Sequence, residues 1–220
     1  MLKKINKLQL LFLMCIGFVA TAQQHEVKDY INDINERAAT IVSKLDINDA
    51  DKKEVKAIVL KQYINIEKIE GKRDAQLEKL KKTVTDQEEQ KLKSEEVWVK
   101  YKASISKLHD DYLNTLSKKL TESQIVQVKD AMTYQVMPKT YHNFLDMFQN
   151  LNEEQKKMIY NHLVEARENA MNVGTHKWQF QWFAKYRGKI NNILASQGIE
   201  LHHTSKAWEK KQLEKKESSK

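Results

Sequence analysis

The stretch VWVKYKASISKLHDDYLNTLSKKL, residues 97–120, decides the fold class. Its apolar residues Val97, Tyr101, Ile105, Leu108, Tyr112, Leu116 and Leu120 step by three and four. That is the period of one face of an α-helix, and no strand alternates this way. The same spacing continues outward in both directions. On the N-terminal side, Val55, Ile58, Val59, Ile66, Ile69, Leu77 and Leu80 predict a helix over 49–82. Gly71 lies inside it and lowers its intrinsic helicity. Thr83-Val84-Thr85-Asp86 breaks the pattern, and Thr85 with Glu88 has the spacing of a capping box that opens the next helix. Residues 49–118 therefore read as a long antiparallel helical hairpin with coiled-coil-like packing, the alternative being one continuous helix, against which the Thr-rich break argues. Val27, Ile31, Ile34, Ala38, Ile41 and Leu45 predict a preceding helix over 24–44.

The second half changes character. Of the sixteen aromatic residues after position 22, eleven lie from Tyr134 onward. Shorter helices are predicted over 122–136, 140–149, 153–172 and 176–195. Pro138 is expected to end the first, and Gly174 and Gly198 to stand just past the ends of later ones. Trp208 is expected to pin the start of a Lys/Glu-rich tail, with 209–220 disordered. The fold class expected is all-α, divided into an N-terminal part over 23–119 and an aromatic-rich helical bundle over 120–208.

Residues 1–22 have the composition of an export signal: Lys3, Lys4 and Lys7, an apolar run from Leu8 to Ala20, then Ala20-Thr21-Ala22. Cleavage after Ala22 is expected, which places the protein in the periplasm or outside the cell. Cys15 is the one cysteine, and Met14 before it does not suit lipidation. A chain without Cys15 has no disulfide, zinc-thiolate site or cysteine nucleophile. The formal charge of +8 includes the three leader lysines, so the remainder is only mildly basic. Its charges are interspersed, which argues against a nucleic-acid stripe. No apolar run after the leader is long enough to span a bilayer.

Motifs for catalysis are absent: there is no phosphate loop, nucleophile elbow or His-Glu-x-x-His sequence. His162 and Glu165 share a helix face but supply only half of a di-metal site, and His202-His203 reads as a pair in a loop. No metal, cofactor or catalytic residue is assigned. The densest unusual segment is HKWQFQWFAKYRGKINN, residues 176–192. Trp178 and Trp182 are four apart, and Tyr186 extends their line. A helix aromatic on more than one face is either buried or a binding platform. Aromatic rings stack on the C–H faces of sugars, while Arg187, Lys189, Asn191 and Asn192 suit hydroxyls and carboxylates. Tyr134, Tyr141 and Arg167 are possible partners across the bundle.

Leu120-Thr121 through Gln124 and Leu151 through Gln155 resemble the LTxxQ motif of small helical periplasmic stress chaperones, and helix capping by itself accounts for them more simply. A wider resemblance covers most of the chain after the leader. Its blocks are Lys129-Asp130-Ala131-Met132-Thr133-Tyr134 with Pro138 and Thr140-Tyr141, then Glu165-Ala166-Arg167-Glu168-Asn169-Ala170-Met171. The most specific block is Trp182-Phe183-Ala184-Lys185-Tyr186-Arg187-Gly188-Lys189-Ile190-Asn191-Asn192, followed by Trp208. In these the sequence resembles a family of exported proteins from glycan-foraging Gram-negative bacteria, whose genes tend to sit in polysaccharide-utilisation clusters and which carries a provisional sugar-binding description. The resemblance implies a non-catalytic, oligosaccharide-binding accessory, and the basic Lys185, Arg187 and Lys189 would suit an acidic glycan. A helical chaperone or scaffold and an enzyme acting on glycans are the alternatives.

Overall fold

In the computed structural model, residues 29–218 are described; the segment expected to be an export signal, Cys15 and His25 lie outside them. Among the described residues all regular structure is helical and no strand occurs. The chain divides into two units, one ending at Leu60 and one starting at Lys61. In the first, helix α1 covers residues 29–43, and the N-terminal part of α2 (Asp49–Thr83) follows. Ile34, Ala38, Ile41, Val42, Leu45, Val55 and Val59 are buried there, at the three-and-four spacing that made these helices legible. Asn48 caps α2 by accepting from the Asp51 N–H at 2.9 Å.

The second unit contains the rest of α2 and six further helices. Helix α3 runs Gln87–Leu116, its Val97, Tyr112 and Leu116 buried. Its N-cap is Asp86, not Thr85: the Asp86 carboxylate accepts from the Glu89 N–H at 2.8 Å. The anion at the positive end of the helix displaces the hydroxyl one residue earlier. Gln90 closes the turn by donating to the Val84 carbonyl at 3.1 Å.

Helices α4 (Glu122–Met132) and α6 (Glu153–Ala170) both open on complete capping boxes, Thr121 with Gln124 and Asn152 with Gln155. The LTxxQ-like pattern is therefore used locally, to satisfy backbone N–H groups at helix starts. Pro138 does not end α4. The break falls at Tyr134 and Gln135, whose φ values of 57° and 59° are left-handed. Pro138 instead lies in the first turn of α5 (Val136–Met147), where its missing N–H costs nothing.

Helix α7 (His176–Ser196) packs on α6. Ile159, Leu163, Ala166 and Ala170 face Phe183, Tyr186, Ile190 and Leu194 in one core, to which α5 adds Met137 and Phe144. Gly198, at φ 84°, ends α7 in the left-handed conformation that glycine adopts without strain. The last helix, α8 (His202–Glu217), starts at the His202-His203 pair expected in a loop, with the Glu200 carboxylate accepting from the backbone N–H groups of His202, His203 and Thr204. It continues through 210–217, where disorder was expected. Alternating Lys and Glu give a helix i,i+4 support there, as at Lys210 and Glu214. Trp208 does anchor it: its Nε1–H donates to Asp146 on α5 at 2.6 Å, and Gln212 donates to the same oxygen at 3.0 Å.

The expected division near residue 119 differs from the observed one because α2 and α3 bond directly to the bundle. Tyr112 donates to the Met132 sulfur at 3.1 Å, His109 meets Glu168 at 3.3 Å, and the Gly174 N–H donates to Glu70 at 3.2 Å.

Candidate functional site

A concavity with an aromatic lining lies between α2, α3 and the start of α7, with a volume of about 580 Å³. This is within the range of small-molecule sites, roughly 300–1,000 Å³. Trp98 and Tyr101 line it from α3, Trp178 and Trp182 from α7. Both Trp98 and Trp178 are well exposed, at 41% and 53% of their surface. Large apolar rings held open to solvent on a folded scaffold lose the hydrophobic stabilisation of burial, and such a cluster marks a contact surface.

Helical spacing builds each wall. Trp98 and Tyr101 are three apart, and their rings meet edge to face at 5.5 Å. Trp178 and Trp182 are four apart on α7, and Thr175 caps that helix by accepting from the Trp178 N–H. Arg73 on α2 fixes the α3 wall. Its guanidinium lies 4.6 Å from the Tyr101 ring centre and 5.1 Å from that of Trp98. The same guanidinium is held in plane by Asp74, through bonds of 2.7 and 3.0 Å. On the other wall, the Lys185 ammonium sits 4.9 Å from the Trp182 ring. Both cations use π-faces, so each ring is held in place.

Glu70 forms the floor. It is 9% exposed, it lines the groove, and its carboxylate accepts from the Gly174 N–H. Burial pushes its pKa up, and the neighbouring Glu67 and Asp74 charges add to this; the Gly174 bond and Arg73 oppose it. Burial and the Glu70 charge likewise raise the Tyr101 phenol, which stays protonated at neutral pH. The groove thus sets two acids, Glu70 and Asp74, against two bases, Arg73 and Lys185.

The sequence candidates separate. Trp178 and Trp182 line the aromatic groove. Tyr186 is buried in the core with Asn169 3.5 Å from its hydroxyl, and Lys189 covers its ring at 4.5 Å. Arg167 is 4% exposed and bonds to Asp130 at 2.8 Å and Glu168 at 3.3 Å. Tyr134 stands against His176 and Tyr141 against Tyr160, outside the groove. Arg187 and Asn191 line a different groove on α7, and Asn192 is exposed beside it in the sequence but lines neither. His162 lies edge-on to Tyr186, and among the described residues no group of three His, Cys, Asp or Glu is placed to hold a metal. No helix among them is long and apolar enough to cross a membrane.

Sequence reasoning missed Trp98, Tyr101, Arg73 and Glu70. Trp98 gave no local signal: it stands seven residues before Ile105, on the same helix face, and spacing alone does not separate it from a core residue.

Residues 31–213 match the model of the family described as protein of unknown function DUF3826, and the chain belongs to that family. No curated protein matches it.

Proposed function

We propose that this member of the family is an exported, non-catalytic saccharide-binding protein of a glycan-uptake system, and that the sugar binds in the aromatic groove. The observation that carries the reading is the pair of exposed indoles, Trp98 and Trp178, on opposite walls of one cleft. Pyranose rings present flat C–H patches that stack on indole faces, and the polar rim of Asp74, Gln181 and Lys185 can bond the equatorial hydroxyls. The balanced charge of the groove suits a neutral saccharide. Calorimetric titration of the chain with neutral and acidic oligosaccharides tests this. Binding of at least one neutral oligosaccharide is expected, weakened about tenfold or more by Trp98→Ala and by Trp178→Ala. Flat heats across the panel, or affinities untouched by both substitutions, sink the reading.

One observation favours a second reading, an enzyme acting on glycans. Glu70 is a buried carboxyl held toward its protonated form in an aromatic cleft that also contains Asp74. A glycosidase needs such an acid to protonate the glycosidic oxygen as the C–O bond breaks, and a second carboxylate to take the proton of the water that adds to the anomeric carbon. Release of reducing ends by the wild type, lost in Glu70→Gln, would establish this reading over the first.

A further inference from the structure

The second groove on α7 carries an inference that does not depend on the aromatic one. It lies between α5, α7 and α8, with a volume of about 400 Å³. On α7 its residues Arg187 and Asn191 are turned about 180° from the Trp178–Trp182 line, at roughly 100° per residue. The buried line of Phe183, Ile190 and Leu194 runs between the two faces. One helix therefore supplies the core and two separate grooves.

Five polar side chains of this groove are left to solvent, while Ser205 bonds the His202 carbonyl. Thr140 and Asn143 on α5, Arg187 and Asn191 on α7, and Glu209 on α8 line it. Among the described residues, none of these five side chains makes a hydrogen bond or ion pair with the protein. Thr140 is the telling case. Within a helix a threonine hydroxyl ordinarily bonds the carbonyl four residues back. Thr40, Thr83, Thr115 and Thr133 all do so here, at 2.6–2.9 Å. Thr140 does not, and its hydroxyl is left to the groove. Arg187 contrasts in the same way with its neighbours on α7: Lys185 rests over Trp182 and Lys189 over Tyr186, while the Arg187 guanidinium engages no ring, carboxylate or carbonyl. Beneath these polar groups lie Phe144, Phe148 and Trp208, the last held by its bond to Asp146.

We propose that this groove is a second ligand site, and that its ligand is a sugar acid. The guanidinium offers a planar fork for one carboxylate. The two carboxamides, the hydroxyl and the Glu209 carboxylate offer donors and acceptors for several sugar hydroxyls, and the aromatic floor receives the apolar face of the ring. Glu209 offsets Arg187 in net charge, so selectivity for the acid rests on the paired N–H donors of a guanidinium that no protein group engages, and not on a net positive field. A neutral sugar leaves the guanidinium unused, and a bare inorganic anion leaves the rest of the groove unused.

The test is calorimetry on the chain with di-galacturonic acid, cellobiose and sodium sulfate as separate probes. Wild-type protein should bind di-galacturonic acid more tightly than cellobiose at this site. Arg187→Gln should weaken it about tenfold or more, and Thr140→Val, which keeps the shape but removes the hydroxyl, about threefold or more. Both positions are off the core, so folding is checked by circular dichroism and not expected to change. Trp178→Ala should leave di-galacturonic acid affinity within about twofold, which separates this site from the aromatic groove. The proposal is overturned if di-galacturonic acid does not bind, if Arg187→Gln leaves its affinity unchanged, if Trp178→Ala removes it, or if sulfate binds as tightly.

Discussion

The Gly174 backbone N–H donates to the Glu70 carboxylate at 3.2 Å, joining residues 104 apart in the sequence. The contact demands glycine. A Cβ at position 174 would lie 2.6 Å from Glu70 Oε2 and 3.4 Å from Glu67 Oε2. The Glu70 side chain can swing away, but only by giving up the Gly174 bond in a partly buried setting. Losing a bond to a charged acceptor costs about 1–2 kcal/mol. Gly174→Ala should therefore lower the melting temperature by about 3–6 °C for a unit of this size. It should also weaken saccharide binding, because Trp178 follows four residues later on α7. An unchanged melting curve would show that the contact carries no energy.

A different carboxylate governs behaviour in acid. Glu168 is bonded by Lys129 at 2.9 Å and His109 at 3.3 Å, with Arg167 NH2 at 3.3 Å. Burial acts to raise its pKa, but the His109 and Lys129 bonds and the Lys129 and Arg167 charges together outweigh it and hold the carboxyl at about 2. Its folded pKa is thus below its unfolded one, near 4.5. The unfolded chain binds the extra proton between these values, so stability rises with pH across that window and is complete above it. Stability should fall steeply as pH drops from about 5 toward about 2, by roughly 3 kcal/mol from this group. Glu168→Gln should be less stable than wild type at neutral pH and should converge with it near about pH 2. Parallel urea curves at all pH values would contradict this.

Helix identity was legible because it rests on local spacing and local caps. Val97 through Leu116, the Thr121–Gln124 box and the Asn152–Gln155 box all act within one or two turns. The misreadings were of two kinds. At Thr85 and Pro138 two adjacent signals competed, and the neighbouring Asp86 cap and the left-handed Tyr134-Gln135 pair decided the boundary. At Gly174 and Arg167 the governing partner was distant in sequence. Gly174 reads as a helix terminator until Glu70 is beside it, and Arg167 reads as a ligand group until Asp130 is beside it. The aromatic groove was half legible for the same reason. Its α7 wall is a local cluster, whereas Trp98 and Tyr101 join it only through the docking of α3.

Gly71 stands mid-helix in α2, and a Cβ built on it meets nothing within 4 Å. Its cost is then that of glycine in a helix interior, about 0.5–1 kcal/mol relative to alanine. Gly71→Ala should raise stability by that amount in chemical denaturation, with saccharide binding unaltered. A destabilised variant would mean that the open space at this position is filled by a partner.

Glu70 and Glu168 should respond to pH with opposite signs. Burial raises the Glu70 pKa above its ordinary value of 4.5, so the folded chain binds this proton more tightly than the unfolded one does. Its contribution to stability is present at low pH and is lost as pH rises through the folded pKa. Glu70→Gln keeps a carbonyl oxygen to accept from the Gly174 N–H and removes the buried charge. The variant should be at least as stable as wild type at neutral pH, and the difference should shrink as pH falls through the raised pKa of the wild-type carboxyl. Urea denaturation of both proteins across this range is the measurement. A Glu70→Gln protein that is markedly less stable at neutral pH would mean that the Arg73 and Gly174 contacts outweigh burial, and that the groove floor is held by charge and not in spite of it.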